Sequence, residues 1–341
     1  MNKVSVVILN WNGAEMLRRF LPSVLAGSAG EGIEVCVADN GSSDDSCRML
    51  EQEFPAVRLI RLDRNYGFAD GYNKVFEQVD AEYAVLLNSD VEVSPGWLTP
   101  MVEYMDLHPD VAACQPKLLD WKQKDRFEYA GAAGGFIDRY GYPFCRGRIF
   151  EVVEKDEGQY DAPISVFWAT GAALFIRLDK YREVGGLDGR FFAHMEEIDL
   201  CWRLRSRGYK LFCLPESKVW HVGGATLKKE NPRKTFLNFR NNLLMLYKNL
   251  PPEELRPVMK IRACLDYVAA CVFLLKGDWG NFRAVIQARK EYARLRPQFR
   301  ADRQENLDKA VGFNVSGRFL FSILWQSKLL GHKKYSDLPL K

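Results

Sequence analysis

Strand-like segments alternate with helical periods at the start of the chain, and this alternation restricts the fold more than any other feature. Apolar strand-like segments cover residues 4–9, 33–38, 57–62 and 83–87. Between them, apolar residues recur with helical spacing over residues 13–25, 46–54 and 67–79. Runs without clear polar alternation are typical of parallel strands that helices cover on both faces. The pattern predicts an α/β fold with a mainly parallel central sheet.

Polar side chains follow the predicted strands where each strand ends. They are Asn10 and Asn12 after the first strand, Asp39 after the second, Asn65 and Gly67 after the third, and Asn88, Ser89 and Asp90 after the fourth. Ligands of open α/β sheets bind at the carboxyl ends of the strands. One polar strand end would be explained as an ordinary loop, but four together favour a binding site.

Two of these carboxylates and one later histidine have specific chemical uses. Asp39 could accept hydrogen bonds from a nucleobase N–H or a ribose hydroxyl. Asp90 could ligate Mg²⁺ or Mn²⁺, which prefer oxygen ligands and bridge substrate phosphates. His221 follows a later strand-like segment, and its imidazole is an acceptable second ligand for Mn²⁺. The plainer alternatives are a turn residue for Asp90 and a satisfied structural residue for His221.

Three acids at the start of one predicted helix, residues 196–207, form a second candidate centre. Asp199 and Arg203 are four positions apart and can pair on one face. Glu196 lies about one turn before Asp199 and could join that pair. Glu197 points about 100° away from Glu196, so it is the acid expected in a different environment, where it could act as a general base. Alternatively, all three acids favour the positive end of the helix dipole, at ~0.3–1 kcal/mol per charge.

Composition restricts the class and location of the protein. A net charge of +4 over 341 residues does not indicate nucleic-acid binding, so we expect no nucleic-acid partner. The cysteines form no CxxC pair, which indicates free thiols in a reducing compartment. The N-terminus leads directly into a strand, so no signal peptide is expected. The longest apolar stretch, residues 267–275, is about half a membrane span. We therefore expect a cytoplasmic protein, soluble or peripheral at the inner face of the cytoplasmic membrane.

The C-terminal part of the chain has a different character. Helical periods at residues 236–249, 253–275, 282–295 and 317–330 predict a C-terminal helical extension. They divide the chain into an α/β domain, residues 1–225, and a helical region, residues 226–341. In the last helix, apolar residues such as Phe319 and Ile323 oppose basic residues such as Lys328 and Lys333. Such a stripe could lie on an anionic membrane surface. The alternatives are packing against the first domain or contact with a second subunit in a homo-oligomer.

The order and spacing of these motifs resemble family 2 glycosyltransferases of the GT-A fold. The matching segments are residues 4–12, 39–44, 65–69, 88–90, 185–188, 196–200 and 220–221. Within that family, the chain resembles bacterial rhamnosyltransferase-like enzymes of surface-polysaccharide synthesis. The resemblance implies a GT-A, Rossmann-like nucleotide-diphospho-sugar transferase fold. It also implies an inverting transfer of a sugar from a nucleotide-diphosphate donor, dTDP-rhamnose or a UDP-sugar, to a hydroxyl of a glycan or lipid-linked glycan.

The resemblance also implies roles for individual residues. Glu197 stands where the family usually has a catalytic Asp and would deprotonate the acceptor hydroxyl, with Glu196 and Asp199 beside it in the catalytic helix. Asp90 and His221 would hold a divalent metal, Mn²⁺ or Mg²⁺. The other residues implied are Leu9, Asn10, Asn12, Asp39, Asn65, Gly67, Asn73, Asn88 and Ser89 for the nucleotide, and Trp168, Thr170 and Gly171 for the acceptor.

Some of these assignments compete with plainer ones. Stacking of Trp168 on an acceptor sugar competes with packing of the same ring in the core. Arg240, Lys228 and Lys229 could reach the diphosphate of the donor, although solvated surface charge explains the two lysines better.

Two residues depart from the family pattern. Asn88 replaces the first acid of the Asp-x-Asp metal motif, so the metal site has one carboxylate fewer. Glu197 keeps the carboxylate of the usual Asp and adds one methylene. Two other functions stay open. One is a catalytically silent nucleotide-sugar-binding protein, which Asn88 supports. The other is a sugar nucleotidyltransferase, which needs a basic phosphate loop that residues 10–13 do not supply.

Overall fold

A mixed nine-stranded sheet forms the centre of the protein in a computed structural model that describes residues 1–223 and 231–340. Its first strands are β1 (Asn2–Asn10), β2 (Ile33–Asp39), β3 (Arg58–Arg61), β4 (Ala81–Leu87), β5 (Val91–Val93) and β6 (Val111–Asp120). A separate small sheet contains β7 (Gly135–Ile137), β8 (Pro143–Cys145), β9 (Arg148–Ile149) and β10 (Val152–Val153). The main sheet then continues with β11 (Ile164–Ser165), β12 (Ala173–Arg177) and β13 (Lys210–His221). The order across it is β11-β13-β6-β12-β4-β1-β2-β3, and β5 pairs with β13.

The predicted α/β fold is confirmed, and the first four strands pair in parallel as their sequence pattern indicates. β1 runs parallel to β2 and β4, β2 runs parallel to β3, and β6 runs parallel to β13. Antiparallel pairs join β12 to β4 and β6, and join β13 to β5 and β11. Because β1 lies between β2 and β4, the strand order reverses at β1. Such a switch point is where open α/β sheets bind their ligands.

Both faces of the central strands are buried, which explains their apolar sequence. Along β1, Val7 packs into the core on one face, whereas Val6 and Ile8 pack into the core on the other. The helices of this part are α1 (Ala14–Gly27), α2 (Ser46–Glu53), α3 (Gly67–Phe76), α4 (Thr99–Leu107), α5 (Leu178–Glu183) and α6 (Glu196–Ser206). Since apolar packing fills the middle of β1, the polar groups that could meet a ligand lie at its end.

Four helices follow residue 231. They are α7 (Pro232–Asn249), α8 (Pro252–Leu275), α9 (Trp279–Leu295) and α10 (Arg300–Asp308). The sequence pattern predicts the first three but not α10, whose residues are mostly charged or polar. Among the described residues, no helix combines the length and the apolar content that crossing a membrane requires. The proposed division at residue 225 falls outside the described residues and stays a prediction, and Lys228 and Lys229 lie outside them too.

The prediction of a helix over residues 317–330 is wrong, because only a short helical turn, Trp325–Leu329, forms there. The ring of Phe319 packs against the ring of Phe136 in the small sheet, with 5.7 Å between ring centroids. Ile323 is fully buried. Part of the apolar stripe therefore belongs to the core, and the segment does not present the continuous amphipathic face that the membrane interpretation needs.

The cysteines are all free, as their spacing predicts. The buried ones are Cys36, Cys114, Cys145, Cys201 and Cys213. They occupy the core as small apolar side chains. Cys264 and Cys271 are instead exposed on α8, which the sequence pattern does not predict.

A buried ion network joins α6 to α7 around Asp199, which is fully buried. Its Oδ2 accepts hydrogen bonds from Arg203 Nε at 3.0 Å and from Lys248 Nζ at 2.8 Å. Its Oδ1 accepts one from Asn249 Nδ2 at 2.8 Å. Lys248 also pairs with Asp188 at 2.7 Å. The predicted Asp199–Arg203 pair is confirmed, and the wider network fixes α6 against the C-terminal helices.

We expect Lys248→Met to lower the free energy of unfolding by about 3–5 kcal/mol, because it leaves the buried Asp199 and Asp188 charges without their shared cation. Urea denaturation followed by circular dichroism measures this change. The matched control is Lys309→Met, which removes an exposed pair with Glu305 on the surface of the protein and should cost about 0.5 kcal/mol or less. Equal losses in the two variants would contradict the importance of the network.

Candidate active site

The ends of β1 and β2 meet through Asn10 and Asp39, which are partners in the strand register. Asn10 Nδ2 donates to Asp39 Oδ1 at 3.3 Å, and Asp39 Oδ2 accepts from the Ser42 N–H at 3.0 Å. Asn10 Oδ1 is buried without a hydrogen-bond partner among the described residues. A buried acceptor of this kind costs free energy unless a ligand satisfies it. Asn10 and Asp39 therefore lie together, and Asn10 Oδ1 is the acceptor that a ligand could satisfy.

The loop after β2 is held by amides from two neighbouring segments. Asn12 Oδ1 accepts from the Ser43 N–H at 2.7 Å. Asn40, which follows Asp39 at the same polar strand end, donates to Asn65 Oδ1 at 3.2 Å and to the Gly67 carbonyl at 2.9 Å. Asn12, Asn65 and Gly67 therefore lie at the same edge of the sheet as Asp39.

Leu9 packs against α3 and Asn73 lies on α3, but the two side chains differ in their surroundings. Leu9 is partly exposed and approaches Gly71 so closely that a Cβ there would lie 2.8 Å from Leu9 Cδ2. Asn73 Oδ1 accepts from the Tyr181 hydroxyl at 2.5 Å, and its Nδ2 donates to the Leu187 carbonyl at 2.7 Å. The amide of Asn73 therefore holds the loop before α6. This structural role corrects the predicted nucleotide contact of Asn73.

The end of β4 meets the end of β13 at the proposed metal ligands. Asp90 Oδ1 lies 3.1 Å from His221 Nε2, and Asn88 Nδ2 lies 3.3 Å from the same nitrogen. Asp90 and His221 are both buried. Ser89 is near the β1 end, since a Cβ at Gly13 would lie 3.7 Å from its Oγ. The structure thus brings the predicted metal ligands together beside the switch point.

Glu128 completes this cluster, although the sequence analysis does not identify it. Its Oε1 lies 3.3 Å from His221 Nδ1, on the far side of the ring from Asp90. Burial alone would lower the pKa of His221, but the carboxylates of Glu128 and Asp90 raise it to about 10. Burial would raise the pKa of Asp90, but the His221 contact holds it below its usual value. Glu128 was missed because it lies in an irregular segment without a readable period.

The donor atoms of Asp90 and His221 fit a divalent cation. Two neighbouring ligands of an octahedral ion, each about 2.1 Å from it, lie about 3 Å apart, close to the 3.1 Å between Oδ1 and Nε2. Glu128 at Nδ1 is the kind of partner that orients a metal-ligating histidine. Among the described residues there is no group of three or more His, Cys, Asp or Glu side chains arranged to hold an ion. The remaining positions would be left to substrate oxygens and water.

The start of α6 holds two carboxyl groups, of which Glu196 is buried and Glu197 is half-buried, and neither forms an ion pair among the described residues. Glu196 and Glu197 each have a buried oxygen without a hydrogen-bond partner among the described residues. Burial raises the pKa of Glu197 to about 6, although backbone N–H groups at the helix start favour its charged form. Burial and the adjacent Glu197 charge raise the pKa of Glu196 well above its usual value. Among the described residues, Glu196 and Arg203 form no hydrogen bond. The prediction that Glu196 joins the Asp199 network is therefore wrong.

The loop before α6 has an unusual backbone. Phe192, His194 and Met195 all have positive φ, at 66°, 71° and 73°, which costs of order 1–3 kcal/mol per residue. Asn241 on α7, which the sequence analysis does not identify, donates its amide to the Phe191 and His194 carbonyls at 2.9 and 2.8 Å. The C-terminal helices therefore hold the strained loop that presents Glu197.

The residues predicted to meet the acceptor divide into two groups. Gly171 lies beside Glu197, since a Cβ at Gly171 would be 3.7 Å from Glu197 Cβ. Thr170 is buried next to it and receives a hydrogen bond from the Ala172 N–H at its hydroxyl, at 3.3 Å. Trp168 is only 3% exposed, and its Nε1 donates to the Phe136 carbonyl at 2.9 Å. A ring buried in this way cannot stack on a sugar, so core packing is the correct interpretation of Trp168.

Arg240 is also engaged inside the protein. Its guanidinium donates to the Phe191 carbonyl at 3.0 Å and to Asn241 Oδ1 at 2.8 Å. These bonds place it in the support of the loop before α6, and the predicted reach of Arg240 to the diphosphate is not seen.

Comparison with known proteins agrees with this arrangement of strand ends and helix start. Residues 5–155 match the family model described as Glycosyl transferase family 2. The chain belongs to glycosyltransferase family 2. An N-acetylglucosaminyl-diphospho-decaprenol L-rhamnosyltransferase of Mycobacterium tuberculosis (strain ATCC 25618 / H37Rv) is 28% identical over 234 residues, which are 63% of this chain and 75% of that protein. As a member of the family, the protein is a glycosyltransferase that takes a sugar from a nucleotide-sugar donor.

Solved structures of other transferases share the fold of this glycosyltransferase. GalNAc-T7 with UDP, GalNAc and Mn²⁺ superposes with a TM-score of 0.60 at 16% identity, over 100% of this chain and 58% of that one. S. aureus TarS residues 1–349 in complex with UDP-GlcNAc gives a TM-score of 0.57 at 13% identity, over 90% and 89% of the two chains. The likeness shows that the glycosyltransferase has the GT-A fold.

We expect Glu128→Gln to lower the pKa of His221 in the metal-free glycosyltransferase by ~1–3 units, because the variant removes one of the two carboxylates that stabilise the imidazolium. NMR titration of the histidine ring signals measures the change. The ring signals of His332, whose Nδ1 contacts Gln326, are the internal control and should be the same in both proteins. A His221 midpoint that stays near its original value would contradict the role of Glu128.

Proposed function

We propose that the protein is an inverting glycosyltransferase in which Glu197 is the general base. Glu197 takes the proton of an acceptor hydroxyl, whose oxygen forms a bond to the anomeric carbon of the sugar. The bond from that carbon to the donor phosphate breaks at the same time, and the nucleoside diphosphate leaves. Attack from the side opposite the leaving group inverts the configuration at the anomeric carbon.

One observation carries this proposal, namely the environment of Glu197 at the start of α6. Its pKa of about 6 lies close to the working pH of a cell, which suits a group that must accept a proton and later release it. A buried oxygen without a partner and the adjacent Gly171 backbone leave room for an acceptor hydroxyl. Burial and the adjacent Glu197 charge raise the pKa of Glu196 well above its usual value, which favours the neutral form of this second carboxyl group.

The donor site in this proposal lies at the ends of β1, β2 and β4. Asp39 would contact the nucleobase, and Asn10 with its free Oδ1 would bind the nucleoside. Asp90 and His221 would hold Mn²⁺ or Mg²⁺, which when bound offsets the charge of the departing diphosphate. The Asp90–His221 separation of 3.1 Å supports this pair. The GalNAc-T7 structure, which contains Mn²⁺ and UDP, supports the class of metal and ligand.

The sugar and the acceptor are proposed from the relatives. The mycobacterial relative is named as a rhamnosyltransferase that acts on a diphospho-decaprenol carrier, which supports dTDP-rhamnose as donor and a lipid-linked glycan as acceptor. The UDP-GlcNAc complex of TarS supports a UDP-sugar as the other donor. Free cysteines throughout the described core support action in the reducing cytoplasm, at the inner face of the membrane.

We expect Glu197→Gln to lower kcat by ~10²–10⁴-fold, because an amide cannot accept the proton, while the affinity for the donor stays nearly unchanged. Release of nucleoside diphosphate from a panel of dTDP-, UDP- and GDP-sugars, with lipid-linked glycan acceptors, measures turnover, and calorimetry measures donor binding. In the unchanged protein, kcat should fall as the pH drops below about 6, because the base becomes protonated.

Glu196→Gln is the matched comparison, since it makes the same change at the neighbouring carboxyl group, whose neutral form burial favours. Its kcat should fall by about tenfold at most. Turnover of the Glu197→Gln variant at the unchanged rate would remove Glu197 from the role of base. Pyrophosphate release from a nucleoside triphosphate and a sugar phosphate would indicate a nucleotidyltransferase instead.

We expect Asp90→Ala to weaken donor binding at least about tenfold when Mn²⁺ is present and to have little effect when it is chelated, because the variant removes the only carboxylate assigned to the cation. Titration calorimetry with a nucleoside diphosphate, in buffer with Mn²⁺ or with EDTA, separates the two conditions. Metal binding should also release a proton from His221, which appears as a buffer-dependent enthalpy. Equal loss of affinity in both conditions would contradict the metal role.

A further inference from the structure

Helix α8 buries one pair of charged side chains and exposes a row of apolar side chains on its opposite side. Arg262 and Asp266 are 1% and 0% exposed, and their side chains pair at 3.2 Å. Arg262 also donates to the Tyr140 carbonyl at 2.8 Å, and Asp266 pairs with Arg289 of α9 at 2.5 Å. These buried polar bonds fix which side of α8 faces the protein. The opposite side is therefore held towards the surroundings.

The outward side of α8 is a stripe of apolar side chains. The exposed residues are Ile261, Cys264, Tyr267, Val268, Cys271, Val272 and Leu275. Five of them follow a spacing of three and four residues, which places them within about 100° of the helix circumference. Val268 is 60% exposed and Leu275 is 87% exposed. Contiguous exposed apolar surface of this kind marks an interaction site.

Basic residues flank this stripe at both ends. Arg256 and Lys260 are exposed at its start, and Lys276 is exposed at its end. From residue 256 to residue 276, all of which the structure describes, the only acid is Asp266, which is buried. The stripe therefore carries positive charge at its borders without exposed negative charge. An apolar helix face bordered by Lys and Arg is suited to an anionic lipid surface.

We propose that the outer face of α8 binds the surface of a membrane that contains anionic lipids. The apolar stripe lies in the boundary between headgroups and acyl chains, parallel to the membrane plane, and Arg256, Lys260 and Lys276 contact the lipid phosphates. Trp279, which is 58% exposed directly after α8, is of the type that lies at such interfaces. The helix lies on the bilayer and does not cross it.

Charge decides between a membrane and a second copy of the chain as the occupant of this face. In an antiparallel pair of α8 helices, Arg256 and Lys260 of one copy would face Lys276 of the other. In a parallel pair, each of these basic residues would face the same residue of the other copy. Both arrangements put like charges together at an apolar contact, which opposes association. Anionic lipid headgroups instead match all three positive charges.

The position of α8 connects the membrane face to the catalytic loop. Arg262 on the inner side of α8 contacts Asn242 of α7. The next residue towards the N-terminus of α7, Asn241, donates to the loop that presents Glu197. Docking through α8 thus holds the active site at a set distance from the bilayer. This consequence for catalysis rests on the proposed lipid-linked acceptor, whereas membrane binding itself is independent of the acceptor.

The test is co-sedimentation of the full chain with vesicles of phosphatidylcholine, with or without phosphatidylglycerol. Binding should require phosphatidylglycerol and weaken as salt rises. Val268→Glu should weaken binding by about tenfold, because it removes apolar insertion and adds a charge that anionic lipid repels. Lys260→Ala and Lys276→Ala should each weaken it about fivefold. The matched control is Leu107→Glu, at a residue of α4 that is 77% exposed, and it should bind as the unchanged protein does.

The exposed cysteines give a second measurement without any substitution. Anionic vesicles should slow the alkylation of Cys264 and Cys271 by a water-soluble maleimide, and phosphatidylcholine vesicles should not. Absence of vesicle binding, or equal binding by Val268→Glu and the unchanged protein, would overturn the proposal. Protection that rises with protein concentration without vesicles would show a second copy on this face and overturn it too. Donor binding by each variant shows that the variant is folded. Failure of the transferase assignment can therefore be told apart from failure of membrane docking.

Discussion

The carboxylate of Asp199 is the interaction on which the arrangement of the active site depends. It is fully buried and receives hydrogen bonds from Arg203, Lys248 and Asn249, so its charge is satisfied from two different helices. A buried charge with this many partners is costly to disturb, which makes the position of α6 relative to α7 well defined. The strained loop before α6 gains its support from the same side, through the Asn241 amide. The carboxyl groups at the start of α6 are therefore presented by a rigid framework and not by a free loop.

The acidic residues of the site differ in their pKa values because their surroundings differ. Asp90 lies against His221, and this contact holds its pKa below the usual value. Glu197 is half-buried with one enclosed carboxyl oxygen, and burial raises its pKa to about 6. Groups whose environments push their pKa values apart are suited to different tasks. A permanently charged Asp90 can hold a cation beside a diphosphate, whereas a Glu197 that titrates near neutral pH can exchange a proton with a substrate.

The sequence predicts the parts of the molecule that follow a period or a strand end. The strands up to β4, the polar residues at their ends and the Asp199–Arg203 pair follow from spacing alone. Glu128 and Asn241 could not be predicted, because each acts through a contact that brings distant or irregular segments together. The helix predicted over residues 317–330 shows the opposite failure. Helical spacing there comes from side chains such as Phe319 and Ile323 that fill the core around the small sheet, and spacing does not distinguish a helix face from such packing.

The neutral Asn88 in place of an acid has a consequence for the strength of the metal site. Its amide nitrogen lies 3.3 Å from His221 Nε2, and a half-turn about the Cβ–Cγ bond of Asn88 would bring Oδ1 into the place of Nδ2. An amide oxygen is an acceptable ligand for hard divalent cations, so the position can still contribute to coordination. In the proposed metal site, this amide would contribute a dipole instead of a full charge, which would leave Asp90 as the one carboxylate assigned to the cation. Because Glu128 stabilises the protonated form of His221, a cation would also have to displace a proton. We therefore expect the cation to be held firmly only when the donor diphosphate adds its own negative charge, so that metal and donor bind together.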